Sequence, residues 1–410
     1  MKNLKKLGAL LLALVLILSL GATAFADTDL NGTGGVEGDK TTTTSSTKVT
    51  LYKELTVFNP TAGTVNAPTI SYAYAIASAA GGNTITDTDN ISVVTYPGSD
   101  ATGTPTITAT VAWAPSESVN ASATGTKNTK PIEVDFSGVT FQRAGVYRYK
   151  ITETIADADY TAAGVVNGTI SNERWLDVYV KDTNIIYGYV LMDADNASVT
   201  SATAKTEGFV ATTGTGAKTA DQYHTFNLTI SKTVDNDTYI ASTHHQFPFT
   251  VTFTNSTVTG AVKPIVTATT NATLTQTDAA AIASFAANAP TIADGASVTY
   301  TGIPMGTTVS IVEKNDVTGT TYAVTTTGAD ANITNEMVAS GSSTTGAISI
   351  TAQTAGYEAD KTVAVANDMQ LISPTGVVLR VAPYILMLGA GIALLFIARR
   401  RRNRAKEADV

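Results

Sequence analysis

Two lysines stand at positions where the alternation of the sequence favours apolar side chains. Residues i and i+2 of a β-strand point to the same face. Lys53 shares a face with the apolar residues of a predicted strand over Val49–Val57, and Lys232 does so in a predicted strand over Leu228–Val234. Both lysines are therefore predicted to be buried. A buried amine loses its proton more easily than a solvated one, and a neutral amine is a nucleophile.

Two glutamates and one asparagine follow the same rule in other predicted strands. Glu153, Glu313 and Asn367 each align with the apolar positions of their segment. A buried carboxyl keeps its proton more readily, and it can then polarise an amide carbonyl and carry protons. A lysine, a glutamate and an asparagine held together by a fold would form a Lys–Asn isopeptide bond and release ammonia. The fold would drive this step because it holds the reactants at high effective molarity.

A plainer interpretation exists for each lysine taken alone. Its stem can lie along an apolar surface while the ammonium reaches solvent, or it can form an ordinary ion pair with a glutamate. The same placement of a lysine and a glutamate recurs in both halves of the chain. This recurrence favours the reactive interpretation.

The composition excludes several kinds of chemistry. The 410 residues include no cysteine, so disulfides, thiolate metal sites and cysteine nucleophiles are excluded. Three histidines, His224, His244 and His245, leave little for a zinc site or a general base. The formal net charge is -8, and an acidic chain repels nucleic-acid phosphates. We expect no metal, no cofactor, no nucleic-acid partner and no enzymatic turnover beyond intramolecular bond formation.

The pattern of short strands predicts an all-β fold. Segments rich in β-branched residues alternate with Gly, Asn, Asp and Pro turns between residues 48 and 370, which is typical of β-sandwiches. A weak internal repeat sets the boundary, since Gly145–Glu153 resembles Gly306–Glu313. Two domains of the same type are predicted over 48–227 and 228–370, after a flexible lead-in over 27–47.

Both ends of the chain resemble processing signals. Residues 1–26 have the lysines, the apolar run and the small-residue cleavage site of a secretory signal peptide. Residues 377–398 contain an apolar run that can span a bilayer as a C-terminal transmembrane helix. The basic tail over 399–410 is expected to stay on the cytoplasmic side.

The motif over 371–376 precedes that apolar run. A Pro-Thr-Gly motif followed by an apolar span and an arginine cluster resembles a Gram-positive cell-wall sorting signal, in the variant form of some shaft pilins. The resemblance implies that a sortase cleaves between Thr375 and Gly376 and passes the acyl group of Thr375 to an amine. It also implies a linking lysine near the end of the first domain, for which Lys218 and Lys205 are the candidates.

The segments that contain Lys53 and Glu153 resemble the N-terminal domain of streptococcal-type backbone pilins. Those that contain Lys232, Glu313 and Asn367 resemble the C-terminal domain. The resemblance implies two tandem immunoglobulin-like β-sandwiches of the collagen-adhesin B type, each with a self-formed isopeptide bond between its first and last strands. It implies a bond from Lys232 to Asn367 assisted by Glu313, and a bond from Lys53 assisted by Glu153.

The acceptor of the first domain has two candidates. Asn227 is an amide, but it lies so close before Lys232 that almost no linker would remain between the domains. Asp221 fits the end of a last strand better, and an aspartate would lose water rather than ammonia. The spacing favours Asp221 and leaves Asn227 as the alternative.

The resemblance also implies a role. It indicates a structural subunit, most simply of the shaft, in a sortase-assembled pilus on a Gram-positive cell wall, held in the membrane before cleavage. The implied partners are a sortase, neighbouring pilin subunits, peptidoglycan or a basal pilin, and a host ligand. The alternative is a wall-anchored adhesin or accessory pilin that binds a host ligand without polymerising.

Overall fold

The structure of the chain is a computed structural model. The residues that it describes are 47–81, 84–86, 92–182, 184–195, 206–213, 216–235, 245–274, 285–288, 290–313, 321–327, 333–336, 346–351, 359–370, 387–388 and 390–400.

The first half of the chain folds into strands with one short α-helix and one 3-10 turn, Gly98–Asp100, among its described residues. The helix, α1, spans Asp157–Ala163. The strands are β1 Lys48–Phe58, β2 Gly63–Asn66, β3 Ile70–Ser78, β4 Thr84–Thr86, β5 Ser92–Pro97, β6 Thr106–Ile107, β7 Thr110–Trp113, β8 Ser118–Ala121, β9 Thr126–Asp135, β10 Gly145–Thr154, β11 Val165–Val166, β12 Glu173–Asp182, β13 Ile185–Met192, β14 Gly208–Phe209 and β15 Asp221–Asp235.

The second half of the chain continues with eleven described strands. They are β16 Phe247–Thr254, β17 Ile265–Ala268, β18 Ala272–Thr273, β19 Phe285–Asn288, β20 Thr291–Ile292, β21 Ser297–Pro304, β22 Thr308–Glu313, β23 Thr321–Thr327, β24 Ile333–Glu336, β25 Gly346–Thr351 and β26 Lys361–Gln370.

Alternation of apolar residues explains why these segments form strands. In β1, Val49, Leu51, Leu55 and Val57 are all buried on one face. In β16, four apolar residues at every second position are buried while the threonines between them stay nearer the surface. A strand with one apolar face must bury that face against a second layer. The predicted all-β sandwich fold is confirmed.

Two sheets form the first sandwich. In one sheet, β1 lies between antiparallel β9 and the parallel start of β15, with β6 beyond β9 and β11 beyond β15. The other sheet runs β13-β12-β10-β3-β7, and β5 also pairs with β10. The facing sides of both sheets share one hydrophobic core that reaches Tyr223.

The second sandwich repeats this plan. The end of β15 lies between antiparallel β21 and parallel β26, with β17 and β23 as the outer strands. The facing sheet runs β18-β20-β16-β22-β25-β24. Its separate core begins at Phe226.

Strand β15 belongs to both sandwiches. Its first residues pair with β1 and its later residues pair with β26. The predicted boundary between residues 227 and 228 therefore falls inside a continuous strand. The last strand of the first sandwich is also the first strand of the second.

Buried amides join the two sandwiches. Asn59 and Asn227 donate to each other's side-chain oxygens at 2.9 Å. Asn227 also donates to Asp360 Oδ1 at 2.8 Å and accepts from the backbone N–H of Gly302 at 3.2 Å. Because both sandwiches contribute to this network, it fixes the joint around β15.

A second polar pair stabilises the sheet that contains β10. Arg148 donates two hydrogen bonds to Asp177, at 2.8 and 2.9 Å, and both side chains are buried. A bidentate pair of this kind is strong when both partners are present, and breaking it costs about 3–5 kcal/mol.

Residues 387–388 and 390–400 are helical. No helix among the described residues is both long and apolar enough to cross a membrane. The transmembrane helix over 377–398 therefore stays a prediction, and 377–386 lie outside the described residues. The signal peptide, residues 27–46 of the lead-in, the sorting motif and the tail beyond Arg400 also lie outside them.

Candidate functional site

Lys53 lies in the core of the first sandwich with its side chain fully buried. Its Nζ atom is 2.8 Å from Glu153 Oε1 and 2.8 Å from Asp221 Oδ2. It also lies 4.0 Å from the centroid of the Tyr72 ring, within the range of a cation–π contact. One amine thus contacts two carboxylates in a site closed to solvent.

Three strands position this cluster. Asp221 is the first residue of β15. In the parallel ladder it lies opposite Leu55, which is two residues beyond Lys53 in β1. Since residues two apart share a face, Lys53 and Asp221 are diagonal neighbours on the core side. Glu153 comes from β10 in the facing sheet. The first strand, the last strand and the opposite sheet meet at the amine.

Besides Lys53, each carboxylate accepts hydrogen bonds from its own set of donors. The Tyr74 hydroxyl donates to Glu153 Oε2 at 2.6 Å. The Tyr160 hydroxyl donates to Asp221 Oδ2 at 3.1 Å, and the Gly168 backbone N–H donates to Asp221 Oδ1 at 2.8 Å. These donors satisfy both acids, as burial of a charge requires. Burial raises the pKa of both tyrosines, so they remain donors at physiological pH.

Asn227, the alternative acceptor, lies elsewhere. It belongs to the amide network with Asn59 at the joint between the sandwiches. The described structure therefore brings Asp221, and not Asn227, to Lys53.

A second cation lies in the same part of the core. The buried guanidinium of Arg174 donates to the carbonyl oxygens of Gly208, Ser171 and Glu173. Burial lowers the pKa of Arg174 to about 10, and the negative charges of Asp193 and Glu153 oppose that effect. Arg174 thus adds a positive charge that Glu153 helps to balance.

Lys232 occupies the equivalent place in the second sandwich. Its side chain is fully buried, and its Nζ atom lies 3.6 Å from Glu313 Oε1. It donates to the carbonyl oxygens of Thr233 at 3.1 Å and Val365 at 3.5 Å. Burial lowers the pKa of Lys232 to about 8, because the nearby carboxylates only partly offset the loss of hydration. A larger share of this amine is therefore uncharged near neutral pH than in a solvated lysine.

Asn367 lies on β26, beside the strand that carries Lys232. The parallel register places Lys232 opposite Val365, and Val234 opposite Asn367. Asn367 thus stands two residues beyond Lys232 along the ladder. Its side chain lies outside the described part of the structure.

The candidate linking residues are partly described. Lys218 precedes β15, its side chain is 38% exposed, and its Nζ atom lies 3.0 Å from Asp193 Oδ2. Lys205, Thr375 and Gly376 lie outside the described residues.

The sequence analysis missed the tyrosines and the glycine of the first site. Tyr74 could have been found, because the alternation in β3 buries Ile70, Tyr72 and Tyr74 on one face. Tyr160 lies in the short helix α1, whose length gives no periodic signal. Gly168 acts through its backbone, which leaves no signal in the residue type.

The fold and the two clusters define a class of protein: tandem β-sandwiches in which a lysine is buried on the first strand and a carboxyl or amide residue stands two residues further along the ladder on the last strand. Residues 226–363 match a family described as a domain of unknown function, DUF7601. The chain is similar to a curated protein named pilin from Streptococcus pyogenes serotype M1, with 27% identity over 293 residues, 68% of this chain and 74% of that one. The resemblance to streptococcal pilins indicated by the motifs is confirmed.

Solved structures of pilins and adhesins are also similar to the chain. A major pilin of Streptococcus pyogenes has 17% identity and a TM-score of 0.35, with 79% of this chain and 100% of that chain covered. A bacterial adhesin from Mobiluncus mulieris, described as containing disulfide, isopeptide and ester cross-links, has 13% identity and a TM-score of 0.26, with 79% of this chain and 98% of that chain covered.

Proposed function

We propose that this protein is a structural subunit, of the shaft type, in a sortase-assembled pilus on the surface of a Gram-positive bacterium. The similarity to a streptococcal pilin over most of the chain supports the pilus assignment. The tandem arrangement of sandwiches along one continuous strand suits a subunit that transmits tension from end to end.

A single observation carries the proposal that the subunit cross-links itself. Lys53 Nζ and Asp221 Oδ2 are 2.8 Å apart in a site that excludes solvent. An amine and a carboxyl held in such contact condense far more readily than free reactants. Folding has already restricted their relative motion, so the reaction itself carries no further entropy cost for bringing them together. Glu153, at 2.8 Å from the same amine, serves as the proton carrier.

The second sandwich supports a matching bond from Lys232 to Asn367, assisted by Glu313. The acceptor stands at the same offset along the parallel ladder as Asp221 does in the first sandwich. A lowered pKa makes the Lys232 amine a better nucleophile. This bond releases ammonia, whereas the bond to Asp221 releases water.

These bonds would replace the disulfides that the chain cannot form. Each bond joins a first strand to a last strand, so tension at the ends of a sandwich cannot peel them apart. Closing a long loop covalently contributes about 2–5 kcal/mol to stability. In a fibre under tension, the covalent connection between the first and last strands matters more than this gain in the free energy of unfolding.

The remaining assignments follow the sorting motif. A sortase cleaves after Thr375 and transfers the subunit to a lysine of a neighbouring subunit, and finally to peptidoglycan or a basal pilin. The chemistry of the chain itself is intramolecular and occurs once per molecule, so it is not an enzyme. A host ligand would bind on the outer surface of the fibre.

Tandem mass spectrometry of the denatured and digested full chain tests the cross-links. We expect one joined peptide pair through Lys53 and Asp221 that has lost a water, and one through Lys232 and Asn367 that has lost ammonia. Linear peptides alone would refute both bonds. A detergent-resistant ladder from the cell wall tests polymerisation, and a single band would instead identify an adhesin or accessory pilin.

A further inference from the structure

Asp221 is held by two donors that do not contact the amine. The Gly168 N–H contacts Oδ1, and the Tyr160 hydroxyl contacts Oδ2, the oxygen that also faces Lys53 Nζ. Glu153 contacts the same amine, and its other oxygen accepts from Tyr74. The hydrogen bonds to the group to be attacked thus come from Tyr160 and Gly168, whereas Tyr74 hydrogen-bonds the acid beside the attacking amine.

The local fold delivers both donors to one carboxyl. Helix α1 follows β10 and carries Tyr160, whose ring packs edge-on against Tyr72 with centroids 6.2 Å apart. Gly164 ends the helix in the left-handed region with φ 69°. Strand β11 then pairs antiparallel with β15, Val165 opposite Tyr223. This pairing leads the chain past the start of β15, where Gly168 reaches Asp221.

The residue at position 168 must be a glycine for this contact to form. A Cβ atom built there would lie 2.3 Å from the Thr219 carbonyl oxygen and 2.6 Å from the Ala220 carbonyl carbon. Any side chain would push the backbone away and take its N–H from Asp221.

We propose that Tyr160 and the Gly168 backbone amide form a clamp that activates Asp221 as the electrophile of the first cross-link. The proposal rests on the proposed function and names two further groups for its chemistry. Gly168 stabilises the negative charge that develops on Oδ1 when the amine attacks Cγ. Tyr160 donates to Oδ2, the oxygen that leaves. Preorganised donors aimed at a developing oxyanion lower the barrier because they need no reorganisation during the step.

Atoms and charges balance in this step. The Lys53 ammonium and the Asp221 carboxylate become an amide and one water. The Nζ–Cγ bond forms and the Cγ–Oδ2 bond breaks. Glu153 carries two protons in turn from Nζ to Oδ2 and ends in the charge state in which it began. The third proton stays on the amide nitrogen, and no oxidant or reductant takes part.

The test compares two tyrosine variants of the full chain. Tyr160→Phe removes the hydroxyl and keeps the ring. Tyr223→Phe is the matched control, because Tyr223 is also buried in this core and its hydroxyl has no hydrogen-bond partner among the described residues. Cell-free synthesis is stopped in denaturant at intervals, and mass spectrometry measures the joined Lys53–Asp221 peptides.

We expect Tyr160→Phe to slow the loss of water by about a hundredfold, the scale on which one preorganised donor acts, and Tyr223→Phe to leave the rate unchanged. The Lys232–Asn367 pair in the same molecules should form at the normal rate in both variants. This internal control separates slower chemistry from failure of the chain to fold.

Three outcomes would contradict the clamp. Equal rates in the wild-type chain and Tyr160→Phe would overturn it and leave the cross-link intact. Equal slowing by Tyr223→Phe would overturn it too, because the effect would then come from packing. A wild-type chain without the joined peptides would overturn the first cross-link itself, and the clamp with it.

Discussion

Asp221 lies diagonally across two parallel strands from Lys53, with 2.8 Å between Oδ2 and Nζ. Its partner in the ladder is Leu55. Asn367 has the same relation to Lys232, because its partner in the ladder is Val234. The two sandwiches thus place the proposed acceptor two residues beyond a buried lysine, although this residue is an acid in one sandwich and an amide in the other.

The role of Glu313 leads to the first prediction. Glu313→Ala should prevent the ammonia loss at Asn367, because it removes the proposed proton carrier, which lies 3.6 Å from Lys232. The free energy of unfolding should fall by about 2–5 kcal/mol from loss of the closed loop. Peptide mapping and a denaturation curve measure the two effects. An unchanged Lys232–Asn367 pair would remove Glu313 from the mechanism, and the Lys53–Asp221 pair of the same molecules is the control.

The choice of acceptor in the first sandwich gives the second prediction. Asp221→Ala should abolish the joined peptides at Lys53, whereas Asn227→Ala should keep them. Asn227→Ala should still cost about 1–3 kcal/mol, since it leaves buried partners at the domain joint unsatisfied. Mass spectrometry and thermal unfolding of both variants decide the matter. Loss of the first cross-link in Asn227→Ala alone would reverse the assignment.

The buried amine of Lys232 gives a pH prediction for a chain that cannot form the second bond. Burial lowers the pKa of Lys232 to about 8 in the folded chain, from the ordinary value of 10.5 that the unfolded chain keeps, and Asn367→Ala should preserve this difference. Between these values the unfolded state binds more protons, so the free energy of unfolding should rise with pH, by up to about 3 kcal/mol.

Denaturant titrations from about pH 7 to about pH 10 measure this slope. The control is Asn367→Ala combined with Lys232→Met, in which the slope assigned to Lys232 should vanish. The same slope in both variants would show that another group titrates in this range.

The linkage between subunits gives the last prediction. Lys218→Arg keeps the ion pair with Asp193 but removes the nucleophilic amine, so the ladder on the cell wall should collapse to single subunits. Lys127→Arg is the control, because its side chain is similarly exposed, 39% against 38%, and also paired with an acid. If the ladder stays intact in Lys218→Arg but collapses in Lys205→Arg, the link between subunits is formed by Lys205.

The burial of Lys53 and Lys232 could be predicted from the sequence by itself. The pleat of a strand sends alternate side chains to opposite faces, and this local rule needs no knowledge of the neighbouring strands. The same rule placed Glu153 and Glu313 in the cores. Composition alone excluded disulfides and thiolate metal sites.

Only the tertiary structure decided what those lysines contact. The spacing along the chain favoured Asp221 over Asn227, but the contact of Asp221 with Lys53 depends on the register between β1 and β15. These strands are far apart in the chain, and no local pattern encodes their register. The continuity of β15 through the predicted boundary has the same cause, because its two halves pair with different strands. Tyr160 and Gly168 reach Asp221 through a short helix and a backbone amide, whose positions long-range packing sets.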